Sequence, residues 1–513
     1  MAKASVKQPA EKLDRGVLKV SGVVVLGAIM SILDTTVVSV ALPTFQRDFH
    51  ASYATVAWTM TAYTLALATV IPVSGWAADR FGTKRLYMTS VALFVAGSVL
   101  CSVAPGIGML VAFRVLQGLG GGMLMPLGMT IMTRAAGPER VGRVMAVLGI
   151  PMLLGPIAGP ILGGWLIEAA SWHWIFLINL PIGVFAFLFA LRVLPTDEPQ
   201  PAEPFDFLGL VLLSPGLALF LYGVSSIPGA GTVAAAKVLI PGLIGLALVA
   251  VFSVHALRTR HPLIDLRLFK NRDLTIAVVT ITLFVVAFMG SMLLFPSYFL
   301  QVRGETTLNA GLLMAPQGIG AMLTMPLSGA LTDRTGPGKV VLGGIVLIAA
   351  SLGVYTQVHA GSSYVLLLGA LFVMGLGMGM TMMPIMSAAL ATLTDQQVAR
   401  GSTMMNIIQQ TAGSIGTATM SVVLTGQVLA SQAATAYNAV VQGAIPASRV
   451  PAPVLAEGRA ALADAFGHTY LVGLVLVICC LVPAFFMPRR KVAREPLPPG
   501  ESLAASEAAT EAG

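Results

Sequence analysis

The chain has 513 residues, 56% of them hydrophobic and only 10% charged, with a mean hydropathy of +0.86. That composition excludes a soluble domain of this size, and repeated apolar runs of about twenty residues indicate an all-α polytopic membrane protein. The net charge of +8 lies between those runs, where it sets topology and does not point to nucleic acid. Cys101, Cys479 and Cys480 all fall inside apolar runs, without metal-ligand spacing.

The chain opens with Lys3, Lys7, Lys12, Arg15 and Lys19 ahead of an apolar run too long for a cleaved signal peptide. This is read as an uncleaved first helix. Fourteen spans follow, over 17–42, 54–77, 86–104, 108–132, 142–167, 173–194, 206–225, 236–257, 274–299, 308–331, 338–358, 363–390, 402–430 and 467–487. With the N-terminus inside, 24 of the 30 Lys and Arg fall in inside segments and five in outside ones. That split supports an even span count with both termini inside.

The first span carries Asp34 in an otherwise apolar stretch. A carboxylate at that depth costs a few kcal/mol or more and needs a partner, a proton or a water-filled cavity. It is read either as a tie to a neighbouring helix or as a proton- or cation-binding site. Apart from Asp34 no acid lies well inside a span, Glu168 being near the outer end of the fifth. The fourth span carries Arg114. Asp34 lies nine residues before Pro43, and Arg114 nine after Pro105, so each sits about 13 Å below the outer boundary at 1.5 Å per residue. The two are expected at one depth, with Arg114 bonding either Asp34 or backbone carbonyls. The fifth span combines Gly149, Gly155, Gly159, Gly163 and Gly164 with Pro151, Pro156 and Pro160. Small residues give a flat packing surface and prolines weaken the hydrogen-bond ladder, which suits a bending or sealing helix.

A stiff, Pro-rich linker, 195–205, leads to spans seven and eight. The loop after span two reads Gly75-x-x-x-Asp79-Arg80-x-Gly82, continuing to Arg85. The loop after span ten reads Gly329-x-x-x-Asp333-Arg334-x-Gly336, 254 residues later. Both fall in inside loops. Duplication of a six-helix unit follows, with spans seven and eight inserted between the halves and a substrate cavity between the bundles. Residues 431–466 read as an outside excursion, partly helical near its ends.

Further motifs are Leu33-Asp34-x-Thr36-Val37-Val38-x-Val40-Ala41-Leu42-Pro43, Arg114-x-x-Gln117-Gly118-x-Gly120, Gly155-Pro156-x-x-Gly159 and Trp172-His173-Trp174-Ile175-Phe176-x-Ile178-Asn179-x-Pro181. With the repeated Asp-Arg loop they make a chain that resembles the major facilitator superfamily, and within it the fourteen-helix drug:proton antiporter family. Ser39 stands where that family usually has Asn, and His173 where it usually has Arg. The resemblance implies two six-helix bundles plus two inserted helices. The expected division is a cytoplasmic tail (1–16), an N-terminal bundle (17–194), linker and inserted helices (195–273), a C-terminal bundle (274–487) and a disordered tail (488–513).

The resemblance implies that Asp34 and Arg114 face the cavity and carry proton coupling. It gives Gly149, Gly155, Pro156 and Gly159 a gating role, and assigns the inside latch to Gly75, Asp79, Arg80, Gly82 and Arg85, repeated in Gly329, Asp333, Arg334 and Gly336. Asp79 is expected against the N-terminus of span thirteen near Gly401 and Ser402, where a helix dipole favours an anion. Expected cavity residues are Trp58, Tyr63, Gln117, Phe295, Tyr298, Met314, Gln317, Asn406, Gln409 and Gln410. The function expected is proton-coupled export of amphipathic or lipid-like small molecules across an inner membrane, without cofactor or metal. Asp34 as the lone deep acid predicts monovalent cations over dications, with neutral amphipaths possible. A same-fold lipid or metabolite exporter and a non-transporting sensor stand as alternatives. No Walker loop or catalytic set favours a pump or an enzyme.

Overall fold

The computed structural model describes residues 15–137, 140–196, 204–230, 232–441, 446 and 450–489. The described chain is helical from end to end. The first seven helices are α1 (Arg15–Asp48), α2 (Tyr53–Phe81), α3 (Thr83–Ser102), α4 (Ile107–Ala136), α5 (Val141–Ala169), α6 (Trp174–Leu177) and α7 (Asn179–Val193). Next come α8 (Phe207–Ser225), α9 (Ile227–Ala230) and α10 (Ala236–Arg258). The remainder are α11 (Arg272–Gln301), α12 (Thr307–Leu313), α13 (Ala315–Thr335), α14 (Pro337–Tyr355), α15 (Tyr364–Gly379), α16 (Met382–Ala391), α17 (Asp395–Leu429), α18 (Gln432–Val441), α19 (Ala452–Cys479) and α20 (Leu481–Phe485). Thirteen segments are long and apolar enough to cross a bilayer. The 29-residue α5 completes fourteen, each overlapping an expected span.

Three boundaries differ markedly from the sequence reading. The first span continues through Pro43 to Asp48, past the expected 42. The thirteenth span, α17, begins at Asp395, not near 402, because Thr394 and Gln397 form a capping box there. Its first turns, Asp-Gln-Gln-Val-Ala-Arg, are too polar to register as an apolar run. The last helix begins at Ala452, fifteen residues before the expected 467, so its first half occupies part of the outside segment. That stretch is rich in helix-forming Ala and Leu but interrupted by Glu457, Arg459 and Asp464.

The repeat has a direct structural counterpart. Gly82 and Gly336 adopt φ of 83° and 86°, and each donates its N–H back to the preceding helix, to Ala78 and Thr332 respectively, at 3.0 Å. Each is the single residue joining two consecutive helices, and the positive φ favours glycine. The 254-residue offset carries α1 onto α11, α2 onto α12–α13, α3 onto α14, α4 onto α15–α16 and the start of α5 onto that of α17. In one half α1 packs on α5 and α4, and α4 on α2 and α3. In the other α11 packs on α17 and α19, and α15 on α13 and α14.

α8 and α10 form a tight pair of their own, stitched by backbone approaches at Gly216, Gly223 and Gly245. The pair leans on both halves, through α8 against α2 and α17. Ser214 donates to the Thr69 carbonyl at 2.7 Å, and Tyr222 stacks on Trp58.

Candidate functional site: an occluded ion pair beside a central cavity

Asp34 and Arg114 meet, as their shared depth predicts. Arg114 Nη1 lies 2.5 Å from Asp34 Oδ2, and both side chains are wholly shielded from solvent. Gln117 sits one turn further along α4. Its Oε1 accepts from Arg114 Nη1 at 2.7 Å, and its Nε2 donates to Asp34 Oδ1 at 2.7 Å and to Ser98 at 3.1 Å. Asn179, at the start of α7, donates to Ser98 at 3.0 Å and at 3.4 Å to Asp34 Oδ1. Arg114 Nε donates to the Thr59 carbonyl at 3.0 Å, so the backbone-carbonyl reading of Arg114 holds together with the ion pair. The guanidinium lies 4.1 Å from the centroid of the Tyr63 ring. Five helices, α1, α2, α3, α4 and α7, thus converge on one carboxylate. A buried pair of this kind needs its remaining donors and acceptors met, and here all but one are: Arg114 Nη2 has no hydrogen-bond partner among the described residues.

Glycine makes the convergence possible. Gly118 and Gly122 bring α4 against α2 at Tyr63 and Leu67, Gly120 brings it against α3 at Phe94, and Gly97 lets Gln117 press onto α3. A methyl group at any of these would meet backbone atoms. Gly155, Gly159 and Gly163 lie one turn apart on α5 and seat Ile32, Thr36 and Val37, the residues of α1 that flank Asp34. Thr36 also donates to the Gly155 carbonyl at 3.2 Å.

Beside this cluster lies a cavity of about 620 Å³ between the two halves. Ser31, Ile32, Thr35 and Thr36 line it from α1, Gly121 and Met125 from α4, Val285 and Met289 from α11, and Asn406, Gln409, Gln410, Ser414 and Thr417 from α17. Val224 and Ser225, at the end of α8, complete the wall, so the inserted pair contributes to it. Tyr63 stands between cavity and ion pair: its hydroxyl lies 3.2 Å from Ser31 and would block a methyl group on Gly121.

The sequence model of the Major Facilitator Superfamily matches residues 24–417. The chain belongs to the Major Facilitator Superfamily. Its relatives include a "Multidrug resistance protein B homolog" of Mycobacterium tuberculosis (strain ATCC 25618 / H37Rv), 51% identical over 95% of this chain and 93% of that protein. A "Putative multidrug resistance protein MdtD" of Yersinia pestis (strain Pestoides F) is 33% identical over 78% of this chain and 86% of its own length. Among solved structures, the human organic anion transporter MFSD10 superposes with a TM-score of 0.60 at 15% identity, covering 92% of this chain and all of that one. The proton:xylose symporter XylE does so with 0.56 at 14% identity, over 91% and 96%. At such identities the likeness is of fold. The superfamily is one of membrane transporters, not of enzymes.

Within this superfamily fold, the expected cavity residues separate into three groups. Asn406, Gln409 and Gln410 line the cavity. Tyr63 and Gln117 belong to the ion-pair cluster instead. Trp58, Phe295, Tyr298, Met314 and Gln317 do not line it. Trp58 is 42% exposed and stacked on Tyr222 of the inserted pair. Phe295 and Tyr298 lie in an aromatic core with Tyr355, Phe466 and Tyr470 inside the C-terminal half. Met314 and Gln317 are buried at the α12–α13 junction. Composition suggested aromatic faces for a cavity, but helix packing turned these rings inward. Ser31, Thr35, Ser414 and Thr417, and the cluster member Ser98, escaped the sequence reading, while Thr36 and Asn179 entered it only as motif residues without a place in the site. Their signal was a hydroxyl or amide in an apolar helix.

The residues of the repeated Asp-Arg motif gather at the end of the molecule where the α2–α3 and α13–α14 junctions lie, while the gate glycines Gly155 and Gly159 lie beside Asp34. Gly75 lets α2 lie directly on α17 at Ala399, Arg400 and Thr403, and Ser74 and Thr403 share a 3.0 Å hydrogen bond. Gly329 lies against Gly142 of α5, and Gly149 against Met325 and Met383. Both seams join the two halves. Asp79 pairs with Arg134 at 3.1 Å, linking α2 to α4. The expected dipole contact at Gly401 has no helix end to act on, since α17 starts at Asp395 and Gly401 lies more than a turn inside it. Arg80, in the last turn of α2, and Arg85, in the first turn of α3, are exposed, Arg334 is exposed as well, and the side chains of Pro156 and Asp333 lie outside those described.

Proposed function

We propose that the chain is a proton-coupled antiporter that exports amphipathic small molecules by alternating access, with Asp34 as the proton-carrying group and Arg114 as its counter-ion. The observation that carries this reading is a lone deep carboxylate, fully occluded against Arg114 and one tyrosine away from a drug-sized cavity. The names of the M. tuberculosis and Y. pestis relatives support multidrug efflux as the physiological setting.

In the state described, both oxygens of Asp34 are engaged: Oδ2 by Arg114, Oδ1 by Gln117 and Asn179. Protonation removes the negative charge that holds Arg114 Nη1 and Gln117 Nε2, so it releases α1 from α4. Movement of α1 carries α5, whose glycines seat Ile32, Thr36 and Val37. α5 in turn meets the other half at Met325, Met383 and Gly329. A proton on Asp34 therefore acts on the seam between halves without touching substrate. With the charge-rich end placed in the cytoplasm of a prokaryotic inner membrane, the sealed end is inward and the described state is closed to the cytoplasm.

The test is transport in proteoliposomes under an imposed pH gradient. Uptake of an amphipathic fluorescent substrate should follow the gradient in the parent protein. It should lose gradient dependence in Asp34→Asn, which keeps shape but cannot carry a proton. Equal gradient-driven uptake in both forms removes Asp34 from the proton path.

A further inference from the structure

We propose that the cavity selects net-uncharged, hydrogen-bonding amphipaths, and that neither a cation nor an anion is its preferred cargo; this rests on the transport reading above and names its substrate class. Three observations carry it. No Asp, Glu, Lys, Arg or His is among the described residues lining the cavity. The nearest charges, Asp34 and Arg114, are spent on each other and wholly buried behind Tyr63. And α17 presents Asn406, Gln409 and Gln410, then Ser414 and Thr417 at one-turn spacing, as a stripe of amides and hydroxyls.

That stripe has capacity to spare. Asn406 donates to Met129 Sδ and the Ser402 carbonyl, and Gln409 to Met386 Sδ; both residues line the cavity, and those bonds leave their amide oxygens free to accept. The Gln410 amide has no partner among the described residues. The rest of the lining mixes the hydroxyl residues Ser31 and Thr35 with the apolar Ile32, Met125, Met289 and Met382. A lining that hydrogen-bonds along α17 and packs on thioethers and aliphatic groups elsewhere matches an amphipath with a polar, uncharged edge. A permanent cation entering here sheds water and gains only dipoles and thioethers, because the sole nearby carboxylate is already paired. A carboxylate ligand fares no better, since Arg114 is equally committed. The expectation of monovalent cations rested on Asp34 facing the cargo, and in this structure it does not.

The test uses the full chain in lipid nanodiscs and three probes on one fluorescent aryl scaffold. They differ only in a tert-butyl, a trimethylammonium or a carboxylate group: the first two share a shape and differ in charge, and the third supplies the opposite charge on a smaller group. The tert-butyl probe should bind at least about ten-fold tighter than either ion, a modest share of the several-kcal/mol cost of burying an uncompensated charge. Gln410→Glu should shift the preference toward the trimethylammonium probe by a similar factor. Equal or tighter binding of either ion by the parent protein overturns the proposal, and so does binding of none of the three. Failure of the transport reading is separate: it appears as loss of pH-gradient dependence in proteoliposomes, whichever probe binds.

Discussion

At the scale of single residues, the ion pair is the most consequential feature. Arg114→Ala leaves Asp34 buried without its counter-ion. Breaking a buried pair on one side costs about 3–5 kcal/mol, so a lower melting temperature and loss of transport are expected together. Arg114→Lys restores charge but cannot reach Asp34, Gln117 and the Thr59 carbonyl at once, as the guanidinium does. Partial rescue of stability with little rescue of transport is expected; full rescue of both in a thermal-shift and uptake assay would mean that charge alone matters. Tyr63 is separable. Tyr63→Phe keeps the ring over Arg114 but removes the hydroxyl from Ser31, a loss of about 1 kcal/mol and roughly five-fold in transport. Tyr63→Leu also forfeits the cation–π contact, worth up to about 2 kcal/mol in a dry site, and should be clearly worse; equal activity of the two variants would deny the ring a role. Sequence made the pairing legible because helical rise converts residue count into depth. It did not give azimuth. Gln117 is at the right depth for a cavity residue but points at Asp34, and Phe295 and Tyr298 point into their own bundle.

At the scale of helices, the sealed end includes close backbone contact between the halves. Gly75 sits where a side chain would meet Thr403 and the Arg400 backbone. Gly75→Val should therefore force α2 from α17. Maleimide labelling of a cysteine placed at Thr417 should then rise from the cytoplasmic side, and transport should fall by more than ten-fold, as expected when about 1.4 kcal/mol or more is lost from a closed state. Unchanged labelling would show that the seam closes elsewhere. Asp79→Asn weakens a 3.1 Å pair with Arg134 whose side chains are both partly exposed, and the stability lost through that pair should be about 1 kcal/mol or less in a thermal-shift assay. The Asp-Arg loop was plain in sequence as a repeated motif, and its glycines prove to be the helix junctions that the motif demands. Its partner was misplaced because the polar first turns of α17 hid where that helix begins. The inserted α8–α10 pair was legible as two apolar spans. Its contribution of Val224 and Ser225 to the cavity wall was not, since no local pattern records which groove an inserted helix fills.

At the scale of the whole molecule, the two halves share architecture but not chemistry. The same 254-residue offset that superposes the helices places Phe288 opposite Asp34, Leu368 opposite Arg114 and Leu371 opposite Gln117. Phe288 and Leu371 are buried, and Phe288 stacks on Phe284. One half thus holds the charge cluster and the other keeps an apolar core at the corresponding level, while α17 supplies amides to the cavity. On the proposed reading, a proton on Asp34 acts first on the N-terminal half, where its ion-pair partner lies. The central claim is that cargo binding and the proton on Asp34 are linked across the Tyr63 partition. Proton release on substrate addition, followed with a pH dye in weakly buffered nanodiscs, tests it most directly. The account predicts measurable release from the parent protein, with a pH dependence, and none from Asp34→Asn although that variant still binds substrate. The same release from both forms, or none from either while substrate binds, would contradict it.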